Sequence, residues 1–258
     1  MGGVELLRAW FHGRAFARHR HDTYAIGVTE AGLQVFDYRG RVERSVPGQV
    51  VVLHPDEAHD GRAGGTGGFG YRIVYVEPGR IAAAVRAIRG CAGGLPFVRE
   101  PVSENATLAR AVTAAFRAAP EPLALDALML RLAEGLIEGD PDGPPAAALR
   151  LDHEALDRAR AFLDVRRAIV RSAELEAITG LSRYELARQF RVRYGTSPYR
   201  YSLMRRLDFA RGRLRAGTRL ADLALAAGFA DQAHFTRMFR SAYVMTPGRY
   251  ARLRAAPA

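Results

Sequence analysis

The feature that most constrains this chain is an internal repeat, in which residues 182–201 recur 49 positions later as residues 231–250. Repetition over this length predicts two copies of one supersecondary unit. Each copy has the pattern of a helix, a tight turn and a second helix. The identical or similar pairs are Ser182/Asp231, Leu186/Phe235, Arg188/Arg237, Phe190/Phe239, Arg191/Arg240, Tyr194/Tyr243, Pro198/Pro247 and Tyr201/Tyr250.

Turn and capping residues divide each copy at the same place. Gly180 ends a short helix at residues 174–179, and Gly228 makes the corresponding turn in the second copy. Ser182 and Glu185 have the spacing of a capping box, in which hydroxyl and carboxylate satisfy backbone donors reciprocally. Asp231 is placed to cap the matching helix of the second copy. The pattern therefore predicts two helix-turn-helix units.

The second helix of each unit has a face turned away from its apolar stripe. Arginine can read guanine and glutamine can read adenine in the major groove, while small or methyl-bearing side chains allow close approach. We predict that Arg188, Gln232 and Arg237 reach base edges. Contacts with thymine methyl groups or close approach are predicted for Tyr184, Ala187, Ala233 and Thr236.

Charge is divided unevenly along the chain. Residues 151–258 hold 21 arginines against 10 acidic residues, whereas residues 1–150 hold 17 of each, so the net charge of +11 lies entirely in the C-terminal part. Such asymmetry indicates a polyanionic partner. Residues 199–215 are predicted to form one helix about 25 Å long between the two units. A rod of that length suits two recognition helices in successive major grooves, about 34 Å apart.

The N-terminal part has a β pattern followed by helices. Short β-branched and aromatic runs, separated by Gly, Pro and Asp turns, predict a small antiparallel barrel or sandwich between residues 15 and 77. The runs are Tyr24–Thr29, Leu33–Tyr38, Gln49–Leu53 and Tyr71–Val76, and the glycine-rich stretch Gly61–Gly70 is predicted to be a hairpin loop.

Helical periodicity begins at Pro78 and continues through 105–118 and 123–137. The stripe of Leu125, Leu128, Leu132 and Leu136 fits either a buried core or a dimer seam. Residues 141–150 have the composition of a linker. The fold class is therefore α+β with two domains, a β-barrel followed by helices at 1–140 and an all-α domain at 151–258.

Residues 155–254 resemble the DNA-binding domain of the AraC/XylS family of bacterial transcription regulators. The resemblance is carried by Gly228-Phe229-x-Asp231-x-x-x-Phe235-x-Arg237-x-Phe239, Thr246-Pro247 and Tyr250, together with Gly180-Leu-Ser182 and Gly195-Thr-Ser-Pro198. One departure is Val244, where the family usually has glycine. The resemblance implies base contacts by Arg183, Tyr184, Ala187 and Arg188 in the first unit, and by Gln232, Ala233, Thr236 and Arg237 in the second.

The N-terminal part is similar to the cupin-like effector-binding domain of the same family, which precedes dimerisation helices. The similarity is carried by His19-x-His21-x-x-Tyr24, Gly32, Pro47-Gly48 and Pro55-x-x-x-His59. It implies a sequence-specific regulator that binds double-stranded promoter DNA as a homodimer. It further implies a response to a small-molecule effector, and activation of transcription through RNA polymerase.

Five residues are candidates for the effector site: His19, His21, Tyr24, His59 and Arg72. Strand alternation places His19 and His21 on one face, and Arg72 offers a positive charge for an anionic effector. An alternative is a metal-dependent cupin enzyme fused to a DNA-binding domain. Such enzymes need a carboxylate four to six residues after His21, where this chain has Ala25, Ile26 and Gly27, and the next acid after them is Glu30. We therefore predict no enzyme activity, no cofactor and no metal, although three imidazoles alone can hold zinc.

The location of the protein follows from three negative features of the sequence. Cys91 is the only cysteine, which is typical of a reducing compartment. The N-terminus does not have a basic segment followed by an apolar run, and no uncharged apolar stretch reaches the roughly 18 residues of a membrane span. The sequence therefore predicts a cytoplasmic protein that is not inserted in a membrane.

Overall fold

The computed structural model describes residues 3–91, 94–117, 121–215 and 217–255. The chain divides into two compact units. The first unit comprises residues 1–120 and 125–149, and the second comprises residues 121–124 and 150–258. Within the described residues, no helix combines the length and the apolar character that a membrane span requires.

Two antiparallel sheets form the body of the first unit. A five-stranded sheet has the order β1-β8-β3-β6-β9, and a four-stranded sheet has the order β2-β7-β4-β5. The side chains of Phe36, Leu53, Phe69 and Tyr71, drawn from both sheets, share one buried core. The predicted antiparallel barrel or sandwich is confirmed. The strands are β1 (Val4–Phe11), β2 (Arg14–His19), β3 (Tyr24–Gly32), β4 (Gln34–Tyr38), β5 (Arg41–Ser45), β6 (Val50–Leu53), β7 (His59–Ala63), β8 (Phe69–Val76) and β9 (Val102–Ser103).

The prediction of a hairpin loop over residues 61–70 is wrong at both ends. Residues 61–63 belong to β7 and residues 69–70 begin β8, so the loop between them contains residues 64–68. Gly61 pairs with Phe16 of β2, and a Cβ atom at Gly61 would overlap the Phe16 ring. The sequence predicts Gly61 as a loop residue, whereas in the structure it lies within a strand and leaves room for the aromatic ring of the neighbouring strand.

Three helices complete the first unit: α1 (Pro78–Arg89), α2 (Ala106–Ala115) and α3 (Pro122–Glu138), whose first residues count with the second unit. The Asn105 side chain caps α2 by accepting a hydrogen bond from the Leu108 N–H at 2.8 Å. Residue 118, where the predicted helix ends, lies outside the described residues. Leu128, Leu132 and Leu136 are buried within the chain itself, so these three residues of the stripe are core, whereas Leu125 is half-buried.

The stretch with linker composition is irregular but attached to the first unit. A buried ion pair joins Arg89 to Asp140 at 2.8 Å, and an exposed one joins Arg99 to Asp142 at 2.6 Å. The backbone N–H of residue 147 also donates to the carbonyl of residue 88 at 3.0 Å. The composition correctly indicated that this segment forms neither helix nor strand. Its first half is nevertheless held against the first unit by the two ion pairs.

The described residues of the second unit form helices and no strand, and they have two apolar cores, one for each repeat. Phe190 and Phe239, which are 49 positions apart, are fully buried at equivalent places in these two cores. The predicted pair of helix-turn-helix units is thereby confirmed, with a 16-residue helix between them. The helices are α4 (His153–Val165), α5 (Ser172–Thr179), α6 (Arg183–Tyr194), α7 (Pro198–Arg213), α8 (Leu220–Ala226), α9 (Gln232–Tyr243) and α10 (Pro247–Ala255).

The predicted caps of both second helices are present. The Glu185 N–H donates to the Ser182 hydroxyl at 3.4 Å, and the Glu185 carboxylate accepts from the Ser182 N–H at 3.1 Å. The Asp231 carboxylate accepts from the backbone N–H of residue 234 at 2.6 Å. Gly180 and Gly228 adopt left-handed backbone conformations, with φ of 75° and 77°. Local sequence therefore fixes where each unit turns.

Candidate nucleic-acid interface and effector pocket

Helix α9 presents the face that the repeat predicts. Gln232, Ala233 and Arg237 are exposed and Thr236 is half-buried, while the opposite face is packed into the core. The Asp231 cap keeps the first turn of α9 intact, so the side chains near its N-terminus project in fixed directions. The long donors of Gln232 and Arg237 are therefore available to a ligand outside the chain.

Helix α6 differs from this expectation. Tyr184 is 6% exposed and Ala187 is 4% exposed, although both were expected on the open face, and Arg188 is half-buried. The expectation of exposure is wrong for Tyr184 and Ala187. Helical periodicity assigns a residue to a face, whereas tertiary packing decides which faces are covered. Their contacts with DNA stay a prediction.

Arg183 is held at the start of α6 by an acidic partner. Its guanidinium pairs with the Glu176 carboxylate of α5 at 3.1 Å, and its backbone N–H donates to the same carboxylate at 2.9 Å. Because this carboxylate satisfies both groups, it fixes the angle at which α6 leaves the turn. Glu176 thus engages the Nε and Nη2 donors of Arg183.

A buried arginine that sequence reasoning missed supports the turn of the second unit. Arg206 of α7 is fully buried, pairs with Glu121 at 2.7 Å, and donates to the Gly228 carbonyl at 3.0 Å. Its guanidinium also lies 5.1 Å from the centre of the Phe229 ring. One signal was available in the sequence, because Arg206 interrupts an apolar stripe that contains Leu203, Leu207 and Ala210.

His234 is also structural rather than a phosphate contact. It directly follows the exposed Ala233 in the chain, but its side chain is buried, with its ring edge-on to Phe229 at 5.3 Å between centroids. Burial lowers the pKa of His234 below its ordinary value. A neutral, enclosed imidazole does not attract a phosphate. On α9, residue 234 lies one turn before Met238, on the buried face of the helix.

In the first unit, three histidines converge where β2 meets β7. His19 and His59 are directly paired across these strands, and His21 follows two residues after β2. Their ring centroids lie 4.5 Å apart for His19 and His59, 4.9 Å for His21 and His59, and 6.1 Å for His19 and His21. Burial lowers the pKa of His59 to about 4, and the neighbouring imidazoles act in the same direction.

Tyr24 and Arg72 are not brought together with these histidines. Tyr24 donates its hydroxyl hydrogen bond to the Pro96 carbonyl at 3.1 Å and lies against His54. Arg72 pairs with Glu30 at 2.7 Å and has its guanidinium 5.8 Å from the Phe116 ring centre. Strand β8 alternates, so Arg72 points away from the core face to which Tyr71 and Ile73 belong.

A cleft of about 590 Å³ opens beside His21, a size typical of small-molecule sites. Tyr75 forms part of its wall and contacts the His21 ring edge-on at 5.4 Å between centroids. Glu5, Asp22 and Glu77 also line the cleft. Three acidic side chains oppose the anionic effector that was expected from Arg72, and instead favour a neutral or cationic one.

A helical unit with two capped helix-turn-helix motifs, joined to a sheet unit with a polar cleft, defines a ligand-responsive DNA-binding protein. Residues 1–133 match the model described as an AraC-like ligand binding domain, and residues 175–253 match a helix-turn-helix domain. The chain therefore belongs to the AraC family, and it is a transcription regulator with a ligand-binding domain and a DNA-binding domain.

Two protein sequences and one solved structure are similar to this chain. The chain is 28% identical over 232 residues to the uncharacterized HTH-type transcriptional regulator YbfI of Bacillus subtilis, covering 85% of this chain and 81% of that protein. It is 33% identical over 79 residues to the probable transcriptional regulator LumQ of Photobacterium leiognathi, covering 30% and 32%. It is also similar to the structure of a probable AraC family regulator from Rhodopseudomonas palustris. That similarity has 25% identity and a TM-score of 0.37, and covers 40% of this chain and 99% of the other.

Proposed function

We propose that this regulator reads two successive major grooves of promoter DNA through α6 and α9. The observation that carries the proposal is the exposed polar face of the capped helix α9. The proposed base-contacting or closely approaching residues are Arg183, Tyr184, Ala187, Arg188, Gln232, Ala233, Thr236 and Arg237. Helix α7, about 24 Å long at 1.5 Å per residue, lies between the two units along the chain.

Replacing Arg237 with alanine tests the proposed base readout. We expect Arg237→Ala to weaken binding to the cognate site by about 1–3 kcal/mol and to relax discrimination against scrambled DNA, because arginine pairs with guanine through two hydrogen bonds. The measurement is fluorescence anisotropy on a duplex selected from genomic fragments. Arg252→Ala is the matched control, since it removes the same charge from an exposed position on α10.

The two variants separate base reading from phosphate attraction. Loss of one phosphate contact weakens cognate and scrambled duplexes alike and lowers the salt dependence of binding. If Arg237→Ala discriminates between the duplexes as well as Arg252→Ala does, α9 does not read bases through Arg237. Enrichment of a few promoters with half-sites one turn apart would support the two-groove arrangement.

We also propose that a small-molecule effector binds the first unit in the cleft beside His21. His21 is the histidine that lines this cleft, with the rings of His19 and His59 packed beside it, and the acidic lining sets the preferred charge. Effector binding regulates transcription only if the effector distinguishes two states of the regulator. Family resemblance supports a homodimer that contacts RNA polymerase and activates transcription, and sedimentation velocity with and without DNA tests the dimer.

A further inference from the structure

We propose that His19, His21 and His59 bind one transition-metal ion, Zn²⁺ by donor preference, through their Nε2 atoms. This proposal differs from the sequence analysis, which predicts no metal. It concerns the first unit alone, and it stands or falls independently of DNA binding.

Each of the three histidine rings is oriented by a hydrogen bond to a backbone carbonyl. His19 Nδ1 lies 2.9 Å from the Ala17 carbonyl oxygen, His21 Nδ1 lies 2.9 Å from that of Thr23, and His59 Nδ1 lies 3.0 Å from that of Glu57. A carbonyl oxygen only accepts, so each Nδ1 carries the proton and donates it. Each Nε2 atom of the neutral ring is then an unprotonated lone pair. Histidines that ligate metals are oriented by this same kind of outer hydrogen bond.

The ligand nitrogens of the three histidines lie close together. Each histidine offers a ligand nitrogen, and these three nitrogens all lie within 4.8 Å of one another. Around a tetrahedral zinc ion with Zn–N bonds of about 2.1 Å, ligand nitrogens are about 3.4 Å apart. The pairing of His19 with His59 across β2 and β7 holds two of the rings together. Small side-chain rotations are therefore enough to close the site.

One ring nitrogen of the cluster is buried without a hydrogen-bond partner. His21 Nε2 is enclosed and has no hydrogen-bond partner. A buried polar atom without a partner is destabilising, and such atoms are uncommon in folded proteins. A metal ion between the three rings satisfies this lone pair. The Phe16 ring lies edge-on to His19 at 5.3 Å between centroids, and so shields the cluster from water on one side.

The donor set selects the kind of ion. Among the described residues the cluster contains three histidines and no carboxylate. Imidazole suits zinc, copper and nickel, whereas manganese prefers oxygen ligands. Zinc with three protein ligands keeps a fourth position open for water or another ligand. The missing carboxylate thus argues against an oxygen-ligand metal without arguing against zinc.

The test uses the full-length protein, treated with a chelator and dialysed, then titrated with Zn²⁺ by calorimetry and with Co²⁺ by visible absorption. The exposed His19 and the half-buried His21 are replaced singly by alanine, and circular dichroism verifies that each variant is folded. His12→Ala is the matched control, because it removes an exposed histidine of the same unit outside the cluster. Cys91→Ser removes the only thiol.

We expect one Zn²⁺ per chain in the wild type and in both controls. His19→Ala and His21→Ala are expected to bind at least about tenfold more weakly, because loss of an outer hydrogen bond alone typically weakens metal binding by about 10–100-fold. Co²⁺ is expected to produce visible absorption bands in the wild type that both variants lose. The proposal is overturned if the wild type binds no Zn²⁺, or if folded His19→Ala and His21→Ala bind it as tightly as the controls.

Discussion

Val244 is the position at which a single substitution should stabilise this protein. It ends helix α9 with φ of 62°, and its N–H donates to the Arg240 carbonyl at 2.9 Å. Gly195, at the same place in the first repeat, ends α6 with φ of 69° and the equivalent bond to Arg191. The two repeats therefore use one cap geometry, but only the first has the residue that adopts it without strain.

The expected gain can be worked out from two opposing terms. A left-handed backbone is unfavourable by about 1–2 kcal/mol for a residue with a Cβ, and a β-branched residue lies at the upper end. Glycine increases the entropy of the unfolded chain, which offsets about 0.5–1 kcal/mol of that gain. Val244 is 88% exposed, so its removal sacrifices little packing. Val244→Gly should therefore raise the free energy of unfolding by about 1 kcal/mol.

Urea unfolding of the full chain, followed by circular dichroism, measures this difference. Gly195→Val is the mirror variant and should lose about 1 kcal/mol, because a Cβ atom there meets nothing within 4 Å and only backbone strain is added. Val244→Ala should lie between the wild type and Val244→Gly. The reasoning fails if Val244→Gly leaves the unfolding free energy unchanged or lowers it while Gly195→Val is destabilised.

Three further substitutions test packing, a buried ion pair and a buried histidine. Gly228→Ala should destabilise the chain by several times more than Gly180→Ala in thermal unfolding, because only at Gly228 would the Cβ overlap a carbonyl oxygen. Arg206→Leu should cost about 3–5 kcal/mol by leaving the Glu121 carboxylate buried and unpaired, and Glu121→Gln in the same chain should recover part of that loss in urea. Burial lowers the pKa of His54 from 6.5 to about 4, so the unfolded state binds more protons between these values. Protonation of His54 should therefore lower the stability by roughly 2–3 kcal/mol as pH drops from 6.5 towards 4, and His54→Gln should remove that contribution from the urea-measured profile while the similar contribution of His59 remains.

Local signals in the sequence predicted the helical unit well. Ser182, Asp231 and Gly180 act within a few residues of their own position, so their capping and turn roles depend little on the rest of the chain. The repeat supplied a second copy of each signal. Burial of Phe190 and Phe239 at equivalent positions follows from the same periodicity.

Interactions between distant segments were predicted less well. Tyr184 and Ala187 were placed on the correct helix, but their burial depends on what packs against it. Arg72 was expected near His21, yet one residue of strand alternation places it on the other face, against Glu30. The Arg206 pair joins residues 85 positions apart, which no local pattern can indicate.

The three histidines show most clearly the difference between what local sequence signals predict and what contacts between distant segments add. Their spacing in the sequence indicated a polar site but, without the carboxylate of a cupin enzyme, gave no reason to place a metal there. Only the tertiary structure showed a backbone carbonyl beside each Nδ1 atom and one ligand nitrogen of each ring within 4.8 Å of the other two. The sequence alone determined the elements, the caps, the repeat and the charge division, because these depend on neighbours along the chain. The tertiary structure decided which faces are covered and which polar atoms meet, because strand pairing and packing bring distant residues together.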